Sequence, residues 1–257
     1  MATALSVIVL SWNRIDLTRT CVESIRANTD VDYELIVVDN GSGDGSAELA
    51  SEIADVAILN DSNRGFSAGM NQGLGAASGK YVVFVNNDTT FPDRWASSLI
   101  ASTSRAGVGM TIPAVTTAGM DFAVRSDPGD RVSLIPPFSE LPSGVVIMMP
   151  RWLADELGGW DEAYALAGAE DFDLLFTVWA NGLDVVFDER VLVEHVGSAS
   201  VIALPDKRET FLANRNRFLA RWSNPHEAGI RHISGCNGED FAANLENASL
   251  AAQWIAR

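Results

Sequence analysis

The chain is expected to be α/β, with a mostly parallel central sheet covered by helices on both faces and a Rossmann-like first half. Two observations carry this. Short apolar runs alternate with helical patterns through the first 90 residues, the pattern of parallel strands joined by crossover helices. Several of these runs then stop at Ser, Asn or Asp, as strands do when their tips gather at one polar edge.

Residues 5–10 (Leu-Ser-Val-Ile-Val-Leu) read as the first buried strand, and 16–27 as a helix with Leu17, Cys21, Ser24 and Ile25 on one face. Residues 34–38 are the second strand, stopping at Asp39-Asn40-Gly41. A short helix over 46–54 leads to a third strand over 56–59, and a Gly-broken helix over 65–77 feeds the strand 81–85. Pattern weakens between Pro113 and Pro142, which reads as a long irregular connection of the kind that carries function or moves. A strand resumes over 145–149. Residues 171–180 form a helix with Phe172, Leu175, Phe176 and Trp179 at i, i+3, i+4 and i+7. Short strands over 184–188 and 191–195 precede an Arg- and aromatic-rich helix over 209–222. After the breaker 234–238 an amphipathic pattern covers 241–255. The chain divides on this reading into a domain over 1–225, with halves 1–112 and 113–225, and a helical tail over 226–257.

A chain of 257 residues suits one large domain with an appended tail. Its net charge of −16 argues against nucleic acid, whose phosphates require Lys/Arg stripes, and against electrostatic docking on anionic lipid. Cys21 and Cys236 imply no disulfide framework, so a reducing cytosol is expected, with Cys21 a buried thiol. No cationic segment leads into a signal-length apolar stretch. Apolar runs of about five or six residues are far short of the roughly 20 that span a bilayer, so no transmembrane segment is expected. The expected location is cytoplasmic, or peripheral at the inner face of a membrane through a bound acceptor.

The strand tips bring Ser11-Trp12-Asn13, Asp39-Asn40 and Asn86-Asn87-Asp88 to one edge. Asp88 there suits a hard divalent cation held against a diphosphate. A polar turn is the alternative, since Asn and Asp favour turns. The Gly41–Ser46 run lacks both a GxGxxG frame and a Walker lysine, so it reads as a turn that caps the next helix.

A set of short segments in this order resembles the inverting glycosyltransferases of family 2, which have the GT-A fold. They are residues 6–14, 34–42, 63–73 (Asn-Arg-Gly-Phe-Ser-Ala-Gly-Met-Asn-Gln-Gly), 81–88, 158–162 (Gly-Gly-Trp-Asp-Glu), 170–174 (Glu-Asp-Phe-Asp-Leu) and His195. Each is weak alone; their order and spacing are specific. Residues 65–71 and the Asn-Asn-Asp tip look most like the rhamnosyltransferase-like branch that makes surface polysaccharides.

The resemblance implies roles. Asp39 would accept a hydrogen bond from the base or ribose of the donor nucleotide, although an Asp at that place also forms turns. Ser11, Asn13, Arg14, Asn40, Asn63, Arg64, Asn71, Asn86 and Asn87 would line the nucleotide-sugar site, with Arg14 toward the diphosphate. Met70 departs from the polar residue often found there. Gly65, Gly69, Gly73 and Gly75 would allow close approach, either to ligand or to the sheet. Asn86 replaces the first carboxylate of an Asp-x-Asp-like motif, leaving Asp88 as the firm ligand for Mn²⁺ or Mg²⁺. His195 matches a second metal ligand, the alternative being a packed core histidine. Asp171 would be the general base, with Glu170 next in line, although carboxylates commonly open helices simply to complement the dipole. Trp160 and Asp161 would approach the acceptor, Trp160 otherwise being an ordinary core aromatic. Arg208, Arg215 and Arg221 form either an anion-facing stripe or a solvated helix face.

The implied activity is transfer of a sugar from a UDP-, dTDP- or GDP-sugar to a hydroxyl of a glycan, a lipid-linked glycan or another acceptor. A nucleotidyltransferase would normally show a Gly-rich loop with a basic residue straight after the first strand, which this chain lacks. A non-catalytic sugar-nucleotide or glycan-binding module would have no need of a base.

Overall fold

The structure, a computed structural model, describes residues 3–117, 129, 132–135, 144–197 and 207–223. In the first half, strands β1 (Leu5–Ser11), β2 (Tyr33–Asp39), β3 (Val56–Leu59) and β4 (Tyr81–Asn86) alternate with helices α1 (Ile15–Asn28), α2 (Ser46–Ile53) and α3 (Phe66–Ala76). These strands lie in the order β3-β2-β1-β4 and all pair in parallel. Register places Ser11 opposite Asp39 and Leu10 opposite Asn86, so the three polar tips stand side by side.

The second half is built differently. Strand β5 (Thr89–Thr90) and helix α4 (Trp95–Thr103) lead to β6 (Val108–Thr117), β7 (Val132–Ile135) and β8 (Val146–Pro150). Helices α5 (Arg151–Leu157) and α6 (Glu170–Ala180), strand β9 (Asp184–His195) and helix α7 (Lys207–Arg221) follow. Strand β8 inserts antiparallel beside β4 and pairs antiparallel with β6. Strand β9 runs parallel to β6, with β5 and β7 antiparallel against it. The α/β class with helices on both faces stands; its parallel pairing is concentrated in the first half.

Both faces of the sheet are apolar because both are covered. Ile8, Ile36, Val38 and Phe84 pack with Met70 and Leu74 of α3 and with α6 on one side. Val7, Val9, Val37, Val83 and Val85 pack with Cys21, Val22 and Ile25 of α1 and with Trp95 and Leu99 of α4 on the other. A strand buried on both faces reads as a continuous apolar run, as these do. Gly69 and Gly73 let α3 lie against β1: a Cβ at these positions would stand 2.4 Å from Leu10 Cδ1 and 2.3 Å from Ile8 Cγ2. The close approach made by these two glycines is to the sheet.

Several expectations change. The two short strands expected over 184–188 and 191–195 are one strand, β9. The charged trio Asp188-Glu189-Arg190 does not interrupt it, because buried Asp188 accepts from Arg190 Nε at 2.8 Å and Ser102 Oγ at 2.7 Å. The stretch from Pro113 is not wholly irregular: β6 runs on to Thr117, and β7 occupies 132–135. The rest of that connection lies outside the described residues, as do the tail over 226–257, Cys236 and the boundary near residue 225. Cys21 is a free, buried thiol, as expected. Among the described residues no helix is long and apolar enough to cross a membrane.

Candidate active site

The tips of β1, β2 and β4 form one wall of the site. Asp39 is fully buried; its Oδ2 accepts from the backbone N–H groups of Ser42 (2.9 Å) and Gly41 (3.2 Å). Its Oδ1 is buried with no partner. Buried carboxylate oxygens are costly unless hydrogen-bonded, so this atom is suited to a donor group brought in by a ligand. Asn13 ties β1 to the loop after β2, its N–H donating to Ser42 Oγ at 2.7 Å and its Oδ1 accepting from Gly43 at 3.0 Å. Asn13 and Arg14 are both left-handed (φ 57 and 58), which turns the chain sharply from β1 into α1.

Some expected site residues are occupied with the protein itself. Asn40 is a knot: its Nδ2 donates to Asn63 Oδ1 (2.9 Å) and the Gly65 carbonyl (3.1 Å), and its Oδ1 accepts from Asn60 Nδ2 (3.1 Å) and Arg64 N–H (3.0 Å). It therefore shapes the 60–65 loop and leaves the Arg64 side chain exposed. Ser11 Oγ and Asn87 Nδ2 both meet Thr18 Oγ1, at 2.9 and 2.8 Å. This buried chain fixes the β1 and β4 tips relative to α1. Thr18 was missed from sequence because it sits on an apolar helix stripe. Asn71 holds the 159–162 turn, accepting from Trp160 N–H and donating to the Trp160 carbonyl and Glu162.

Asp88 follows β4, and β5 directly behind it pairs antiparallel with the end of β9. That pairing puts His195 opposite Thr89 and brings His195 Nε2 to 3.2 Å from Asp88 Oδ1. Both side chains are nearly buried, 11% and 8% exposed. Arg14 is held charged first by Asp16, its hydrogen-bonded partner at 3.2 Å, and to a lesser degree by the field of Asp88. The guanidinium thus stands within electrostatic reach of Asp88. No group of three or more metal-ligating side chains occurs among the described residues. One carboxylate oxygen and one imidazole nitrogen suit a divalent ion that takes its remaining ligands from a diphosphate and water.

The start of α6 is joined to the β4 tip through residues 144 and 145. Asp171 Oδ1 accepts from Phe172 N–H at 2.9 Å and Oδ2 from Gly144 N–H at 3.2 Å. Burial raises its pKa, and these backbone N–H groups oppose the rise. Glu170 is 7% exposed, its Oε2 has no partner, and burial followed by the charge of Asp171 pushes its pKa up to about 8. Burial thus disfavours the charged form of both carboxyl groups, and the charge of Asp171 adds a further cost to ionising Glu170. The turn feeding α6 contains two left-handed non-glycine residues, Leu166 (φ 55) and Ala169 (φ 69), a conformation that costs roughly 1–2 kcal/mol per residue. Phe66 N–H donates to the Leu166 carbonyl at 2.7 Å, and Asn214 of α7 bonds Ala165 N–H (3.1 Å), Ala165 O (2.9 Å) and Ala167 O (3.0 Å).

Trp160 and Asp161, expected at the acceptor, are engaged with the protein itself. Trp160 is a core aromatic, 2% exposed, edge-on to Phe66 and Phe84. Asp161 pairs with Arg217 (2.9 Å) and Arg221 (3.5 Å), and Arg221 also meets buried Asp173. These residues line a cavity of about 380 Å³ that also includes Thr177. Asp173 and Thr177 are turned roughly 200–240° around α6 from Asp171 at about 100° per residue, so that cavity faces away from the site. Arg221 thus belongs to an ion-pair network, whereas Arg208 is exposed.

Parallel strand tips that gather Ser11, Asp39 and Asn86, a carboxylate–imidazole pair behind them and a carboxylate opening α6 belong to an α/β protein with polar side chains collected at one sheet edge. The chain belongs to glycosyl transferase family 2, whose profile its residues 6–142 match, more than half its length. The uncharacterized glycosyltransferase YibD of Escherichia coli K12 is 41% identical over 88 residues, 33% of this chain and 26% of that protein. The succinoglycan biosynthesis protein ExoO of Rhizobium meliloti is 26% identical over 240 residues, 84% of this chain and 68% of that one. The matched stretch spans only about a quarter of YibD and of the putative glycosyltransferase EpsH of Bacillus subtilis (26% of each). The fold is that of GT-A glycosyltransferases. GalNAc-T7, solved with UDP, GalNAc and Mn²⁺, superposes with a TM-score of 0.65 at 15% identity over 97% of this chain and 55% of that one. The mannosyltransferase PcManGT of Pyrobaculum calidifontis, solved with GDP-Man and Mn²⁺, gives 0.62 at 21% identity over 100% of this chain and 72% of that one.

Proposed function

We propose that this chain transfers a sugar from a nucleoside-diphosphate donor to an acceptor hydroxyl, with inversion at the anomeric carbon and with Mn²⁺ or Mg²⁺ bound at Asp88 and His195. The observation that carries the reading is the link between the β4 tip and the start of α6. Val145 O accepts from Asn86 N–H at 3.1 Å, and the adjacent Gly144 N–H donates to Asp171 at 3.2 Å. A two-residue step thus separates the metal-side tip from the carboxylate that takes the proton.

On this reading Asp39 Oδ1 accepts from the base or ribose, and Arg14 and Arg64 face the diphosphate. The bound cation would act as a Lewis acid on the leaving diphosphate. Asp171 holds the acceptor hydroxyl and takes its proton as the oxygen attacks the anomeric carbon. The bond from that carbon to the diphosphate breaks, and the nucleoside diphosphate leaves on the opposite side. Glu170 stays protonated, so it adds no second charge beside the base. A role in surface polysaccharide synthesis, with rhamnose as one candidate sugar, is in keeping with the succinoglycan relative and with the motif resemblance.

The test is a thermal-shift screen of UDP-, dTDP- and GDP-sugars with and without Mn²⁺, followed by donor hydrolysis without acceptor. A ligand that binds only the folded state raises its midpoint with occupancy. A Mn²⁺-dependent shift with slow hydrolysis supports an enzyme. A shift without any turnover would point to a sugar-nucleotide-binding module. No shift with any of the three nucleotides would overturn the donor assignment.

A further inference from the structure

Gly144 is not marked by the positive φ that by itself favours glycine. What a side chain there would meet is Asp171. A Cβ at residue 144 would stand 2.4 Å from Asp171 Cβ, 2.6 Å from Oδ2 and 2.9 Å from Cγ. Separations this short force something to move. The nearest atom is Asp171 Cβ, fixed to the backbone of α6, so rotating the far end of the side chain does not relieve it. The same glycine donates its N–H to Asp171 Oδ2. Its neighbour Val145 is hydrogen-bonded to Asn86, and the next residue, Val146, is in register with Val85 of β4. The chain at 144–145 is thereby anchored to the strand that ends at Asp88.

We propose that Gly144 is a positioning residue: the missing side chain at 144 lets the Asp171 carboxylate seat against the metal-side strand, and so sets its distance from the reacting carbon. The proposal rests on Asp171 being the general base. Proton transfer is sensitive to placement, and a displacement of about 1 Å can cost on the order of 100-fold in rate.

The experiment compares wild type, Gly144→Ala, Asp171→Gly and the double variant. Asp171→Gly removes the three atoms nearest to the added methyl. Rates are read with whichever sugar nucleotide the wild type turns over. The donor side is probed by thermal shift with UDP, dTDP and GDP plus Mn²⁺, and stability is read without metal. Gly144→Ala should lower kcat roughly 10- to 100-fold, leave the nucleotide–Mn²⁺ shift unchanged and lower the metal-free Tm. In the Asp171→Gly background the same alanine should cost little in either rate or Tm, the non-additivity of two residues that act through one contact.

Near wild-type transfer by Gly144→Ala, with a large loss in Asp171→Gly, would overturn the positioning role and leave the base standing. Losses that multiply in the double variant would overturn it too. If Asp171→Gly stays within about tenfold of wild type, the base reading fails and takes the role of Gly144 with it. Should Gly144→Ala fail to fold, recovery of the fold in the double variant still identifies Asp171 as what the methyl meets. If the double variant also fails to fold, the glycine is required by something other than Asp171.

Discussion

At the residue scale, burial disfavours the charged form of two adjacent carboxyl groups, and the charge of Asp171 weighs further on Glu170. Asp171 receives two backbone N–H groups; Glu170 is buried with one oxygen unpartnered. Asp171→Asn keeps the size of the side chain but cannot take a proton, and should cost about 10²–10⁴ in transfer rate. Glu170→Gln imitates the neutral acid already present and should stay within about tenfold. A reversal of the two would move the base by one residue. Glu170 also leaves a mark on stability. Its folded-state pKa is raised from an ordinary 4.5 to about 8, so across that window the folded state binds more protons than the unfolded one. Stability must then fall as pH rises through the window, because folding requires proton uptake there. Urea unfolding in a pH series should show this slope in wild type and a shallower one in Glu170→Gln. An unchanged slope would mean that Glu170 is not the group being held neutral.

The Asp88–His195 pair offers a second test at this scale. Asp88→Ala should abolish transfer and the Mn²⁺-dependent part of nucleotide binding while the protein stays folded. His195→Ala should shift the Mn²⁺ requirement to higher concentration. A lowered Tm with unchanged metal dependence would make His195 a packing residue that merely touches Asp88. Full activity of wild type in EDTA would remove the metal from both arguments.

At the scale of elements, α7 contributes to the site without reaching it. Asn214 is buried and makes three hydrogen bonds to the turn over 165–167, while Arg217 and Arg221 grip Asp161 and Asp173. That turn carries the left-handed Leu166 and Ala169 into the first residue of α6, and such strain persists only where neighbours over-determine it. Asn214→Ala should lower stability by about 1–3 kcal/mol through unpaired backbone groups and reduce transfer more than it reduces nucleotide binding. Equal weakening of both would make α7 a general support. This coupling was not legible in the sequence, because an Asn in a basic helix carries no signal of what it faces. The first-half strands were legible because continuous β-branched runs ending in Asn or Asp are hard to read otherwise. Strand β6 escaped because Gly109 and Pro113 look like breakers; Pro113 sits where the pairing with β9 shifts register, which is where a strand tolerates proline. Strand β5 has only two residues, yet it is what delivers His195 to Asp88. Asp88 and Asp171 were readable as residue types at motif positions, whereas the occupation of Asn40, Asn71 and Trp160 by internal contacts depends on folding partners up to 91 residues away.

At the scale of the whole molecule, the sheet makes one reaction geometry the natural one. Its parallel first half and β8, which runs antiparallel beside β4, meet at one edge, where Gly144 N–H bonds Asp171 and Val145 O bonds Asn86 N–H. On the proposed reading this adjacency suits attack in line with the departing diphosphate. A double displacement would require a second ionised carboxyl group to bond the sugar first. Glu170, whose ionisation burial disfavours, is poorly suited to that, and Asp88, which has His195 against it, is on the proposed reading engaged with the leaving group's cation. The product should accordingly carry the inverted anomeric configuration, read from the anomeric proton coupling by NMR at early conversion. The same sample run with Asp171→Asn should give little product of either configuration. Retention in wild type would contradict a single displacement and remove Asp171 from its role as sole base, even if the Mn²⁺ and nucleotide assignments survived.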